Sequence, residues 1–461
     1  MAIDLDRFAV LDVGKTNAKL VIAQARDGQV LWSAEHRNHI VPGPPYKQLD
    51  VAAIEAWLLA AMAEAPEKGR IGAIVPVAHG CGAVPLDASQ APLPAMDYEE
   101  EAVEQVKADY DRERDPFAMT LTPDLPLGLN LGRQIYYVEK KHPDLYRRFA
   151  AVLTYPQYWA WRLAGVMATE VTSIGAHSGL WLPREGRYSP LAERHGWPHL
   201  FPPLRPAGAV LGPLRPDLAA RAGWRADCRV LCGIHDSNCS YLNHRLARPE
   251  GSDFAVVSTG TWVIILASGV DPGRLDPTRD MLGNVDAYGK PVATARFMGG
   301  REYGMLAGEG APEPDAAAVA RIVARGAMAL PHFTPGGGPF MGRAGAVIGG
   351  EGLGAIDKAA LATLYIALVS DVMLDLLGTG GEVIVEGSFL ANPLFAPILA
   401  ALRPGQRISV SDDRAGTVGG ARLLAVGATQ SEGRTAPVAP LAGIDIASYR
   451  RNWRERAETR T

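Results

Sequence analysis

The sequence predicts an α/β protein made of two related domains. Residues 8–23 read as an apolar strand, a small polar turn centred on Gly14, and a second apolar strand; residues 254–267 repeat that order around Gly260. Strand-like Val/Ile runs alternate with helical patterns in both halves, the signature of a mixed α/β class. At 461 residues the chain has room for roughly two to three domains, each with its own core.

The first hairpin continues through the Asp27-Gly28 turn into a third strand at 30–35, giving an antiparallel meander. Asp50 is placed to cap a helix over 51–64, with Ala53, Trp57, Leu58 and Ala61 on its buried face. Residues 71–79 read as a buried strand ending in His79. The Pro-rich, acidic stretch 84–122 reads as loops and polar helix at a rim, and helical patterns return at 133–149 and 156–163. Residues 181–216, rich in Pro, Arg and Trp, read as surface excursions. A strand at 229–232 leads through Gly233-Ile-His-Asp-Ser-Asn238 into a helix over 239–246, and 248–252 reads as a linker. The domains are therefore expected at 1–247 and 253–461. In the second, two strands flank the Tyr288-Gly289 turn, a long helix covers 357–377, and a strand at 382–386 enters the turn 387–392 before another helix. A short charged helix is expected over 446–460.

Composition narrows the function. A net charge of −4 gives no basic footprint, so nucleic acid is not an expected partner. The chain enters its first strand a few residues after Met1, which leaves no room for a signal peptide. No apolar run is expected to reach the roughly 18 residues of a membrane span, and Ser370, Asp371 and Asp375 interrupt the most apolar segment, 361–377. A cytoplasmic protein with no membrane partner is expected. A homodimer is one permitted state, since the sequence does not fix oligomerisation. The four cysteines are read as reduced thiols. Cys228, Cys232, His235 and Cys239 are not paired as tightly as structural zinc ligands, so core packing rather than metal is expected there.

The chemistry concentrates at strand ends. Gly14 and Gly260 let backbone N–H groups approach an anion, and the hydroxyls of Thr16, Thr259 and Thr261 add donors. Gly14-Lys15-Thr16 is not a P-loop: the motif needs glycine where Ala9 stands, and another strand follows instead of a helix. Asp12 lies inside an apolar strand, where a carboxylate needs a partner or a cation. Beside an anion-binding turn it points to Mg²⁺ held through water, with a hydrogen-bonded strand-end aspartate as the alternative. Asp236 follows a buried strand and precedes a helix. It is read as a base that takes a hydroxyl proton, with helix capping as the alternative. His79 and His235 are candidates for hydrogen bonds to sugar hydroxyls. The Gly-rich run 334–342 reads as a flexible cleft loop, since its prolines remove backbone donors. The turn Gly387 to Asn392 is better placed for a nucleotide, because it follows a Val/Ile strand and opens a helix.

Together these motifs resemble the FGGY carbohydrate kinases, over about residues 8–428. That resemblance implies two ribonuclease-H-like, actin-like ATPase domains flanking a deep cleft. Leu11-Asp-Val-Gly-Lys-Thr16 is similar to the first phosphate motif, Ser258-Thr-Gly-Thr-Trp262 to the second in its rhamnulokinase form, and Gly233-Ile-His-Asp236 to the segment bearing the base. Gly387-Ser-Phe-Leu-Ala-Asn-Pro393 resembles the adenosine motif, and Gly416-Thr-Val-Gly-Gly-Ala421 the helix start after it. Ala78-His79-Gly80 resembles the Met-His-Gly segment that touches sugar in xylulokinases. The resemblance implies Asp236 as base; Asp12 and Asp236 at Mg²⁺; Gly14, Thr16, Asn17, Thr259, Gly260, Thr261, Gly387, Ser388 and Asn392 at ATP; and His79, Gly80 and His235 at the sugar. Ala78 in place of methionine, Lys15 in place of a small hydroxyl residue, and Glu386 in place of glycine depart from the pattern.

The expected activity is therefore ATP-dependent phosphorylation of a small-molecule sugar, with domain closure excluding water. A ketohexose or deoxyketohexose such as L-rhamnulose or L-fuculose is the leading acceptor, and a pentulose or polyol the alternative. A non-catalytic actin-like ATPase or a sugar sensor would need the phosphate hairpins but not His79, His235 and Asp236.

Overall fold

Strand Ile71–Ala78 is buried at every position, and Arg7–Val13 at all but Arg7 and Asp12. Apolar runs of this kind belong in the middle of a sheet covered on both faces. The two pair in parallel, with Asp12 opposite Val77 and Val13 opposite Ala78. Arg7–Val13 turns back on Asn17–Gln24, which turns back on Val30–Arg37, forming the expected meander. On its other side Ile71–Ala78 is joined in parallel by Arg229–Leu231 and, past Gly233, by Ile234–His235. Val210–Pro213 closes that edge.

The computed structural model describes residues 5–334, 336–411 and 417–459. Among these, the chain divides into two compact units: one from residues up to 247 with 283–291 and 417–431, the other from the remainder. The second unit repeats the wiring of the first. Phe254–Thr259 pairs antiparallel with Val263–Ser268, which pairs with Pro291–Phe297, and Phe254–Thr259 runs parallel to Glu382–Gly387. Ile408–Ser411 continues the parallel side. The mixed α/β class and the duplicated strand–turn–strand reading both hold. The strand after Thr16 is present, which rules out a P-loop helix at that point.

Several elements differ from expectation. Asp50 caps the helix Val51–Glu64 by accepting from Ala53 N–H at 3.0 Å; of the expected face Leu58 and Ala61 are fully buried and Trp57 packs partly buried on the core, while Ile54 and Met62 complete the buried set in place of Ala53. The 181–216 stretch is not a set of surface excursions: Trp181, Leu191, Trp197 and Leu200 lie in a buried cluster with Tyr110 and Ile135. The run 334–342 is anchored. Thr334 donates to Glu302 Oε1 through its N–H at 3.1 Å and its hydroxyl at 2.8 Å, and Gly338 N–H donates to Asp280 Oδ2 at 2.9 Å. Pro335 lies outside the described residues. Helix Ala355–Leu377 does contain a window long and apolar enough for a membrane span, contrary to the reading of its interruptions; 89% of that window is buried in the protein, which makes it a core helix. All four cysteines are buried thiols that form no disulfide among the described residues, and burial pushes the Cys228 thiol up to about 12.

The polar interruptions of that core helix tie down the last one. Asp371, fully buried, accepts from Arg403 at 2.9 Å, from Arg450 at 2.6 and 2.9 Å, and from Arg454 at 2.5 Å. Removing one member of a buried charge cluster leaves the others uncompensated. Asp371→Ala is expected to destabilise the protein by about 3–5 kcal/mol, read from urea unfolding; a midpoint equal to wild type would contradict this.

Candidate active site

The parallel strand ends bring the first group of residues together. His79 follows Ile71–Ala78, and its N–H donates to Val13 O at 3.1 Å. Ile234–His235 lies on the other side of the same strand, with His235 opposite Ala78. Gly233 makes the approach feasible: its φ is +85°, and a Cβ there would sit 2.4 Å from Pro76 O. Gly80 is equally constrained, since a Cβ would lie 2.9 Å from His235 Nε2 and 3.7 Å from His177 Nε2. The three imidazoles of His79, His177 and His235 thus gather around one residue that has no side chain.

The hydrogen bonds assign the tautomers. His79 Nδ1 is 2.7 Å from Gly80 O, so Nδ1 carries the proton and donates it. Its buried Nε2 is left as an acceptor with no partner among the described residues. His235 is the reverse. Asn238 Nδ2 donates to its Nδ1 at 3.0 Å, leaving Nε2–H to face Asp236 Oδ1 at 3.2 Å. Burial holds both rings below the usual histidine range, against the opposing pull of Asp236, so both are neutral near pH 7.

Asp236 is the first residue of helix Asp236–Leu246, and His235, not Asp236, occupies the cap position. Its Oδ1 takes Ser237 N–H at 2.6 Å, Ser237 hydroxyl at 3.3 Å and the His235 contact. Its Oδ2 has no partner among the described residues, and the side chain is 32% exposed. One oxygen is held while the other is presented. Asp12 is half-buried, and desolvation, then repulsion from Asp236, pushes its carboxyl up to about 6. Thr417 hydroxyl, 405 residues away in sequence, donates to Asp12 Oδ2 at 3.0 Å and pulls the other way. A desolvated carboxylate beside a like charge is a donor set that fits a hydrated Mg²⁺. Gly416, the first residue of the expected helix start, lies outside the described residues; the helix runs Val418–Val426.

The turn after Asp12 is accessible. Gly14 N–H closes it on Asn17 O at 2.9 Å, Asn38 Nδ2 donates to Gly14 O at 2.8 Å, and Thr16 is exposed. Lys15 is ion-paired with Asp97 and lies 4.6 Å above the Tyr98 ring, which meets His79 edge-on at 5.4 Å.

In the second unit, Thr259 pairs with Gly387 across the parallel strands. Thr259 hydroxyl donates to Glu386 O at 2.5 Å and accepts Phe389 N–H at 3.0 Å, so it braces the turn instead of facing solvent. Gly260 and Thr261 stay accessible. Ser388 is exposed, and its hydroxyl reaches Thr259 O at 3.3 Å. Asn392 donates to Thr363 at 2.8 Å and accepts Leu394 N–H at 3.1 Å, fixing the turn to helix Ala355–Leu377 and to the chain ahead of Phe395–Leu402.

Sequence reasoning missed Thr417, Tyr98, His177 and Glu170. Glu170 is fully buried; Oε2 accepts from Thr172 hydroxyl at 2.5 Å and Ser173 N–H at 3.2 Å, while Oε1 has no partner among the described residues. Burial pushes its carboxyl up to about 7 against those hydrogen bonds. Because the folded value lies above the ordinary 4.5, its stabilising contribution is complete below that value and is lost as pH rises through about 7. Glu170→Gln is expected to flatten the fall in Tm between roughly pH 5 and 8; an unchanged slope would contradict this.

Comparison with known proteins covers both units. Residues 8–243 match the FGGY family of carbohydrate kinases, N-terminal domain, and residues 251–434 match carbohydrate kinase FGGY, C-terminal domain. The chain is similar to a carbohydrate kinase from Novosphingobium aromaticivorans, with 36% identity, 99% of each chain covered and a TM-score of 0.86. It is 28% identical over 140 residues to an L-fuculokinase of Haemophilus influenzae, covering 29% of this chain and 28% of that protein. With a rhamnulokinase of Halalkalibacterium halodurans the identity is 23% over 275 residues, covering 55% of each. The chain therefore spans about a quarter to a half of the curated relatives it matches. With both family domains matched in order along the sequence, and a solved carbohydrate kinase superimposing over its whole length, the chain belongs to the FGGY family of carbohydrate kinases.

Proposed function

We propose that the protein transfers the γ-phosphoryl group of ATP to a primary hydroxyl of a ketose, with a ketohexose or deoxyketohexose such as L-rhamnulose or L-fuculose as acceptor. The observation that carries this reading is the divided carboxylate of Asp236: one oxygen held by the Ser237 N–H and hydroxyl and approached by His235 Nε2, the other without a partner among the described residues, beside two neutral histidines. Such a group is oriented as a base, because its free oxygen can take a hydroxyl proton while the bound one holds the rotamer. His79 Nε2 would accept a hydrogen bond from a second sugar hydroxyl, and His235 would hold Asp236 in register. Gly14, Thr16, Asn17, Gly260, Thr261, Gly387, Ser388 and Asn392 would bind ATP, with Thr259 bracing its turn. Asp12, with Asp236 nearby, would hold Mg²⁺, which supplies neutralisation of phosphate charge when bound. The similarity to proteins named L-fuculokinase and rhamnulokinase supports the choice of acceptor.

A pentulose or polyol is the alternative, favoured by the His79-Gly80 pair. ADP release across ketohexoses, deoxyketohexoses, pentuloses and polyols separates the two. The highest kcat/KM is expected with a ketohexose or its deoxy form; a pentulose preferred by tenfold would transfer the assignment to the alternative.

A further inference from the structure

We propose that Glu170, acting through Thr172, is a positioning residue for the Gly233–Asp236 turn and thereby for Asp236. The proposal rests on the reading of Asp236 as the base. Thr172 is fully buried, and its hydroxyl makes two contacts of opposite sense. It lies 2.5 Å from Glu170 Oε2 and 3.1 Å from the backbone N of His235. A hydroxyl has one proton to give. Glu170 Oε2 also accepts Ser173 N–H, so it is the acceptor oxygen of the carboxyl; the Thr172 proton goes to it and the lone pairs of Thr172 turn toward His235 N–H. Glu170 therefore sets the direction of the hydroxyl, and the hydroxyl holds the amide of the residue that caps the Asp236 helix.

The same turn is held from a second side. Gln157 Nε2 donates to Cys232 O at 3.1 Å and to Gly233 O at 3.2 Å, while Gln157 Oε1 accepts from Thr154 hydroxyl at 2.5 Å. Gln157 grips the carbonyls before the turn and Thr172 the amide after it. Glu170 is itself fixed, since it caps the short helix Val171–Ile174 by accepting Ser173 N–H. Neither Glu170 nor Thr172 reaches the site. Their effect passes through backbone, and a base displaced by a fraction of an ångström loses much of its rate.

The test uses Thr172→Val, Thr172→Ser and Glu170→Ala in the full chain, with kcat, KM for ATP and Tm measured on each. Val keeps the shape of Thr and removes the hydroxyl, so kcat is expected to fall by roughly 10- to 100-fold while KM for ATP stays unchanged. Ser restores the hydroxyl and is expected to recover kcat to within about threefold of wild type. Ala at 170 leaves Thr172 without its acceptor, so the hydroxyl is free to turn its lone pairs away from His235 N–H, and kcat is expected to fall roughly tenfold; this variant carries the test if the Val protein does not fold. Wild-type kcat in the Val or Ala protein, or a Ser protein as slow as Val, would overturn the proposal. Asp236→Asn run alongside separates this failure from that of the base itself: if it keeps wild-type kcat, the base assignment is what fails.

Discussion

Asp236→Asn is expected to lower kcat by roughly 10²- to 10⁴-fold, the usual range for loss of a positioned general base. Thermal stability is expected to change little. Asn retains an acceptor oxygen for Ser237 N–H, which now lies 2.6 Å from Asp236 Oδ1, and His235 remains as the helix cap. The loss of negative charge in the first helical turn removes only about 0.3–1 kcal/mol of dipole stabilisation. The substitution also removes the like charge that raises Asp12, whose carboxyl should move back toward its ordinary range. Steady-state kinetics with a Tm scan checks the prediction; a folded Asn protein with wild-type kcat would contradict it.

The second large effect is expected at Gly80. Any Cβ there meets His235 Nε2 at 2.9 Å, and a branched side chain also takes the space near His177 Nε2. His235 cannot yield without disturbing its contacts to Asn238 and Asp236. Gly80→Val is therefore expected to lower kcat/KM for the sugar about 100-fold, through displacement of the histidine and the base. Overpacking of this kind costs about 1–3 kcal/mol of stability. Nucleotide affinity, measured by ADP binding, should be unchanged. Equal losses for sugar and ADP would point to general misfolding instead.

The strand framework was legible because Val/Ile runs bounded by glycine turns occur twice, with a parallel strand following each hairpin. His79, His235 and Asp236 were legible because each stands at the end of such a run. The partners that tune them were not. Thr417 reaches Asp12 across 405 residues, and nothing in a linear pattern marks a contact of that span. Thr172 and Glu170 look like an ordinary helix start, and their effect on His235 depends on packing between distant segments. In the 181–216 stretch the apolar residues come one or two at a time between Pro and Arg, so composition suggested surface where Trp181 and Trp197 in fact fill a core. The face of helix Val51–Glu64 was legible only in part, with Leu58 and Ala61 found and Ile54 and Met62 missed: nearly every position is apolar, so periodicity gave a blurred phase.

In the proposed reaction Asp236 takes the proton of a sugar hydroxyl as that oxygen attacks the γ-phosphoryl group of ATP. Mass-spectrometric detection of the sugar phosphate, with ADP quantified in the same reaction, is the decisive measurement. Using the preferred ketose, with Mg²⁺ and ATP, ADP and monophosphorylated sugar are expected in a one-to-one ratio, both lost in Asp236→Asn. ADP formation that no sugar stimulates, with no phosphorylated sugar at any Mg²⁺ concentration, would contradict it.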